Sequence, residues 1–94
     1  MKLVDIKNSP RKDKRLVATV DALGKLHKIH FGLKGGSTFL EHGDENKKDN
    51  YIKRHIVNEN HTNPLTAGFW ARWILWNKPT LNESIADVKR KFDL

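Results

Sequence analysis

Three runs in the first third of the chain concentrate apolar residues in the manner of short strands: "LVDI" (3–6), "RLVATV" (15–20) and "LHKIHF" (26–31). Each is rich in β-branched or aromatic side chains, which suit a pleated, half-buried surface. Leu16, Ala18 and Val20 fall on one side of the second run, since successive strand residues point to opposite faces. The runs are separated by "NSPRKD" (8–13), with Asn8, Ser9 and Pro10, and by "DALG" (21–24), whose Gly24 can take the positive φ of a tight turn. The pattern predicts an antiparallel three-stranded meander over residues 2–31.

After Phe31 the periodicity lapses. "FGLKGGSTFLEHGDE" (31–45) holds four glycines and reads as an irregular connection over 32–44. It contains neither a P-loop pattern nor GxGxxG, so a flexible joint is the simpler reading than a phosphate cradle. Helical spacing then sets in. Ile52 and Ile56, with Tyr51 and His55 on an adjoining line, predict a helix over 46–58 with one buried stripe; Lys47, Lys48, Lys53 and Arg54 lie largely off that stripe.

The segment "PLTAGFWARWILWNKP" (64–79) is far more apolar than anything around it. Asn63 before Pro64 suggests an N-cap followed by proline at the first helical position, and Lys78 and Pro79 suggest a stop, so a helix is expected over 64–77. Phe69, Trp73 and Trp76 would share one face, Trp70 and Ile74 a neighbouring one, leaving a narrow polar line at Arg72. Such a helix is buried nearly all round. A last helix over 80–92 opens with Thr80 and Glu83 at capping-box spacing, turns Leu81, Ile85, Val88 and Phe92 inward, and carries Lys89, Arg90 and Lys91 in its final turn. Strands followed by helices define a single α+β domain spanning 1–94, in which the meander packs against three C-terminal helices.

The aromatic segment has three readings: membrane anchor, partner-binding face, or core. Its longest apolar stretch, Leu65 to Trp76, is short of the ~20 residues that cross a bilayer and includes Arg72, so no membrane span is expected; an interfacial helix ranks below the other two. In a chain of 94 residues no other segment has the apolar area to organise a core. We therefore expect interior scaffolding, with Trp70 or Trp76 as the residues that would anchor a protein partner or an unstacked base if left exposed.

Charge adds a second theme. The formal net charge is +7, and residues 1–15 carry six Lys or Arg against two Asp. A positive field of this kind favours polyanions, although surplus lysine also serves plain solubility. Lys7, Arg11, Lys12, Lys14 and Arg15, with Lys25, Lys28 and Lys34 from the sheet and its loop, are the candidate phosphate contacts, and nucleic acid, DNA or RNA, is the expected partner. Phosphates carry no sequence information, so specificity would be low.

Candidate chemistry is thin. The chain has no cysteine, which excludes disulfides, thiol nucleophiles and thiolate zinc sites and suits a reducing compartment. The start "MKLVDIKNSPRKDKR" lacks the apolar core of a secretory signal. A metal site would need His30, His42 and His55 to converge with Glu41 or Asp44, and no recognised ligand spacing supports it. His27 and His30 should point to opposite faces of their strand, and His30 and His55 are expected to be buried polar links between sheet and helix. Ser9, Ser37 and Ser84 lie in no nucleophile elbow. Glu41, Asp44, Glu45 and Asp49 suit a helix N-terminus better than a Mg²⁺ site. No cofactor and no enzymatic activity are expected.

"HFG" (30–32), "YIKRH" (51–55) and "PLTAGFWARWILWNKPTLNESI" (64–85) resemble a family of small basic proteins encoded by large DNA viruses of eukaryotes. The likeness extends over about residues 14–92 and is strongest in the aromatic segment. It implies a viral origin, with a place inside the infected cell or in the virion, and it brings no catalytic residue. Two readings follow: a non-enzymatic protein that associates with nucleic acid, or a minor virion component that docks larger protein subunits through an aromatic patch or a sheet edge.

Overall fold

The computed structural model describes residues 1–94. Strands β1 (Lys2–Asn8), β2 (Lys14–Ala22) and β3 (Lys25–Leu33) form the expected antiparallel meander, in the order β1-β2-β3. Register pairs Leu16 with Phe31, Ala18 with Ile29 and Val20 with His27. The face carrying Leu16, Ala18, Val20 and Phe31 is buried. A bulge between Leu3 and Asp5 brings Ile6 opposite Ala18, on that same face. The β2–β3 hairpin turns on Leu23 (φ 56°) and Gly24 (φ 78°). Two successive positive φ values make it the tight primed turn that matches sheet twist; glycine takes the conformation freely and leucine does not.

Gly32 is the other constrained glycine. Its φ is +82°, and an added Cβ would stand 2.8 Å from Leu75 Cδ1 and 3.1 Å from Arg15 Cβ. Only a residue without a side chain lets β3 approach the aromatic segment so closely.

The connection that follows is less irregular than its glycines suggest. Thr38 and Glu41 form a full capping box around a one-turn helix, α1 (Phe39–His42), which Gly43 ends in the left-handed conformation. Asp44 then caps α2 (Glu45–His55), its carboxylate accepting from Asn46 and Lys47 N–H groups. The helix stops three residues before the expected 58. Its buried line runs through Tyr51, while Ile56 is 56% exposed, so the anticipated Ile52–Ile56 stripe is only half realised.

The aromatic segment is helical but begins one turn late. Asn63 Oδ1 accepts from Leu65 N–H in a local turn, and it is Thr66 that caps α3 (Ala67–Trp70). Pro64 stays outside the helix, and its carbonyl accepts the indole N–H of Trp70 at 2.7 Å. A buried indole must find an acceptor, and a non-helical Pro64 supplies it. α3 runs directly into a π-helical turn (Ala71–Leu75), after which Trp76 leaves helical geometry at φ −126°, ψ 36°. α4 (Leu81–Phe92) starts at Thr80, whose hydroxyl accepts from Glu83 N–H.

Phe31, Phe69, Trp70, Ile74, Leu75, Val20 and Val88 are fully enclosed and form the centre of the molecule. The scaffold reading of the aromatic segment therefore holds. α4 is fastened by polar contacts as well: Ser84 Oγ accepts from Lys78 N–H, and Asn77 donates to the buried Asp87 carboxylate at 2.8 Å. No helix is long and apolar enough to cross a membrane.

Candidate nucleic-acid interface

The eight cations singled out from sequence do not form one patch. Lys7 pairs with Asp5 at 3.4 Å and Arg11 with Asp13 at 3.5 Å, both exposed pairs of little energetic weight that a phosphate can replace. Arg15 is different. Its guanidinium meets Glu41 in two hydrogen bonds and also reaches Gly36 O, so it fastens the sheet to α1 and is withdrawn from the surface. Lys12, Lys14 and Lys34 have no carboxylate partner and gather at one end of the sheet, where Lys14 pairs with Leu33 and Lys34 N–H donates to Asp13 O. Lys25 sits at the opposite hairpin, about 30 Å away along β3 at ~3.3 Å per residue. Lys28 lies midway on the outer face, opposite Thr19. Three of the eight, Lys12, Lys14 and Lys34, thus make a local cationic cluster.

A second cationic surface was not singled out by the sequence pattern. Lys47, Asn50 and Arg54 follow one another at i, i+3 and i+7 along α2, and together with Lys53 they border an open cleft of about 480 Å³ closed by Ser37, His42 and Trp76. None of these three cations has a carboxylate within 4 Å. Lys48, the fourth cation of the helix, is instead structural: its ammonium donates to Asn77 O and lies over the Phe39 ring. Sequence inspection sees these side chains only as the polar side of an amphipathic helix; the signal that could have separated them is the i, i+3, i+7 spacing.

Trp76 and Ser37 also line an adjoining, more apolar slot of about 290 Å³, with Tyr51, His55, Leu33 and Leu75. Here rings stack in series. Tyr51 lies against Trp76 at 4.4 Å with planes 7° apart, and His55 against Tyr51 at 4.1 Å. Burial pushes the Tyr51 hydroxyl's pKa up, so it stays a neutral donor.

The tryptophans divide their roles. Trp70 is wholly buried, which removes it as a partner anchor: its ring is core and its N–H is engaged. Trp76 is half-buried and borders both cavities. The expected alignment of Phe69, Trp73 and Trp76 on one face is broken as well. Phe69 and Trp73 both meet Phe92 of α4, whereas Trp76 meets Tyr51 of α2, because the π turn between them changes the angular step per residue.

His27 and His30 do occupy opposite faces, opposite Val20 and Val17 respectively. The expected sheet-to-helix links do not form, however. His30 Nδ1 is 2.7 Å from Ser9 Oγ, joining β3 to the β1–β2 loop, and His55 pairs with Glu59 at 3.2 Å, just beyond its own helix. No three His, Asp or Glu side chains gather as a metal site. Asp44 and Glu41 serve as helix caps, and Ser9 and Ser84 are buried structural hydroxyls.

Sheet, helices and surface together define a small basic α+β domain with two cationic surfaces and an aromatic slot. A family model, Family of unknown function (DUF5754), matches residues 4–55, and the chain belongs to that family. The match begins within β1 and stops at the last residue of α2, so it takes in both cationic surfaces and ends before the aromatic segment. No curated protein and no solved structure matches the chain.

Proposed function

We propose that this is a non-enzymatic protein that associates with nucleic acid through phosphate contacts of low sequence specificity. The resemblance noted above places it among proteins of large DNA viruses of eukaryotes, acting in the infected cell or the virion. The observation that carries the reading is the set of uncompensated cations at one end of the sheet, Lys12, Lys14 and Lys34, in a chain of net charge +7. Lys7, Arg11 and Lys28 extend that set, since exposed ion pairs yield readily to phosphate.

Binding to duplex DNA measured across a salt series tests this. Affinity should fall steeply with salt, and K12A/K14A/K34A should flatten the log–log slope by roughly 0.9 for each phosphate contact removed. Undetectable binding to DNA and RNA at low salt would defeat the reading. The competing reading, a virion component docking larger subunits, has lost Trp70. It retains Trp76 and the free edge of β1, whose bulge and Lys2 and Lys7 discourage strand addition.

A further inference from the structure

The cleft beside α2 differs in kind from the cluster at the sheet end. Lys12, Lys14 and Lys34 stand on a convex edge, suited to tracking a backbone and nothing more. Lys47, Lys53 and Arg54 instead surround a concavity that contains no carboxylate, and the concavity opens into a slot of aromatic and aliphatic side chains through the shared Trp76. Like charges gathered in one cleft repel each other, and a bound anion offsets that cost.

His42 adds a directional element. Its Nδ1 accepts the Asp44 N–H at 2.9 Å, so the neutral ring carries its proton on Nε2. That nitrogen is enclosed and has no acceptor within the protein, although the ring borders the cleft. Orphaned buried donors are uncommon and call for an explanation; an anionic oxygen in the cleft would supply the missing acceptor.

A cationic compartment joined to an aromatic one matches a ligand that carries a phosphate and a planar base a few bonds apart. We propose that the cleft and its slot hold one nucleotide of a single strand, with the phosphate among Lys47, Lys53, Arg54 and His42 and the unstacked base against Trp76 in the slot. This deepens the nucleic-acid reading and rests on it: it specifies single strands, because a base within a duplex is stacked and cannot enter a slot. The shared chemistry, phosphate plus base, is also that of a free nucleotide, so the test includes both.

The experiment measures binding of a single-stranded oligothymidylate, a duplex of equal length, and thymidine monophosphate to the full chain, by anisotropy and by tryptophan fluorescence. The wild type should prefer the single strand by about tenfold or more, the fold-change that one stacked base contributes, with quenching of tryptophan emission. K53A/R54A should lose that preference while keeping duplex binding; both residues are exposed, and circular dichroism confirms that the variant folds. Trp76→Phe should bind with less of the quenching.

A single-strand preference that survives K53A/R54A overturns the proposal and leaves phosphate binding at the sheet end intact. Equal affinity for single strand and duplex overturns it too. Monophosphate binding without oligonucleotide binding overturns both this proposal and the nucleic-acid reading. Loss of all polymer binding in K12A/K14A/K34A, with the cleft variant unaffected, assigns recognition to the sheet end alone.

Discussion

Arg15 and Glu41 meet through two parallel hydrogen bonds, Nη1 to Oε1 at 2.6 Å and Nη2 to Oε2 at 2.7 Å, linking the start of β2 to a helix 26 residues further along the chain. The same carboxylate accepts from Thr38 N–H at 2.9 Å and so completes the α1 capping box. One side chain both ends the glycine-rich connection and fastens it to the sheet. The Arg15 guanidinium, followed by the Thr38 bonds, holds the Glu41 carboxyl at about 2, against an ordinary value of 4.5.

A depressed folded-state pKa contributes stability that is full above the unfolded value and is lost as pH falls through the folded one. The Glu41 contribution should therefore be intact above about pH 4.5 and vanish toward pH 2. Because the side chain is 40% exposed, solvent screening limits the net effect to about 1 kcal/mol. Urea denaturation of wild type and Glu41→Gln at neutral pH and near pH 2 checks this: the gap between them should be about 1 kcal/mol at neutral pH and close at acid pH.

The two constrained positions of β3 and its hairpin should respond in opposite directions. Gly32→Ala imposes both a positive φ and an overlap with Leu75 and should cost about 3 kcal/mol. Leu23→Asn places a residue tolerant of left-handed geometry in an exposed turn and should stabilise by about 0.5–1 kcal/mol. Thermal melts distinguish the two, since each kcal/mol moves Tm by about 4–8 °C in a domain of this size.

Trp70→Phe should destabilise by about 2–3 kcal/mol, from the unfilled space and from the Pro64 carbonyl left without its donor. Asn77→Ala should cost about as much, because Asp87 is only 4% exposed and would keep only Arg90 and Lys91 as partners. Chemical denaturation of each variant checks both values, and neither should change the salt dependence of nucleic-acid binding.

How far the sequence reached can be seen element by element. Alternation at Leu16, Ala18 and Val20 located the meander because β2 is the central strand and its buried face is unbroken. The capping box at Thr38 and Glu41 is equally plain in "STFLEH", yet four neighbouring glycines outweigh it in any local reading. Thr66 displaced Asn63 as the helix cap for a reason no window of sequence contains: the buried indole of Trp70 needed the Pro64 carbonyl. The cationic surfaces were least legible. Sequence lists cations but not their partners, and it took coordinates to find Arg15 tied to Glu41, Lys25 isolated at the far hairpin, and Lys47, Lys53 and Arg54 around a single concavity.

The π turn at Ala71–Leu75 has a consequence for how the chain tolerates change in length. It advances less per residue around the axis than an α-helix does, and so it sets the phase between two halves of one segment: Trp73 is dialled toward α4 and Trp76 toward α2. Deleting one residue there would let ordinary helical periodicity return and swing everything after it by about 100°. The interior would lose little of its oil, but Trp76 would part from Tyr51 and the wall common to cleft and slot would fall away. This stretch can change its letters more safely than its number of letters.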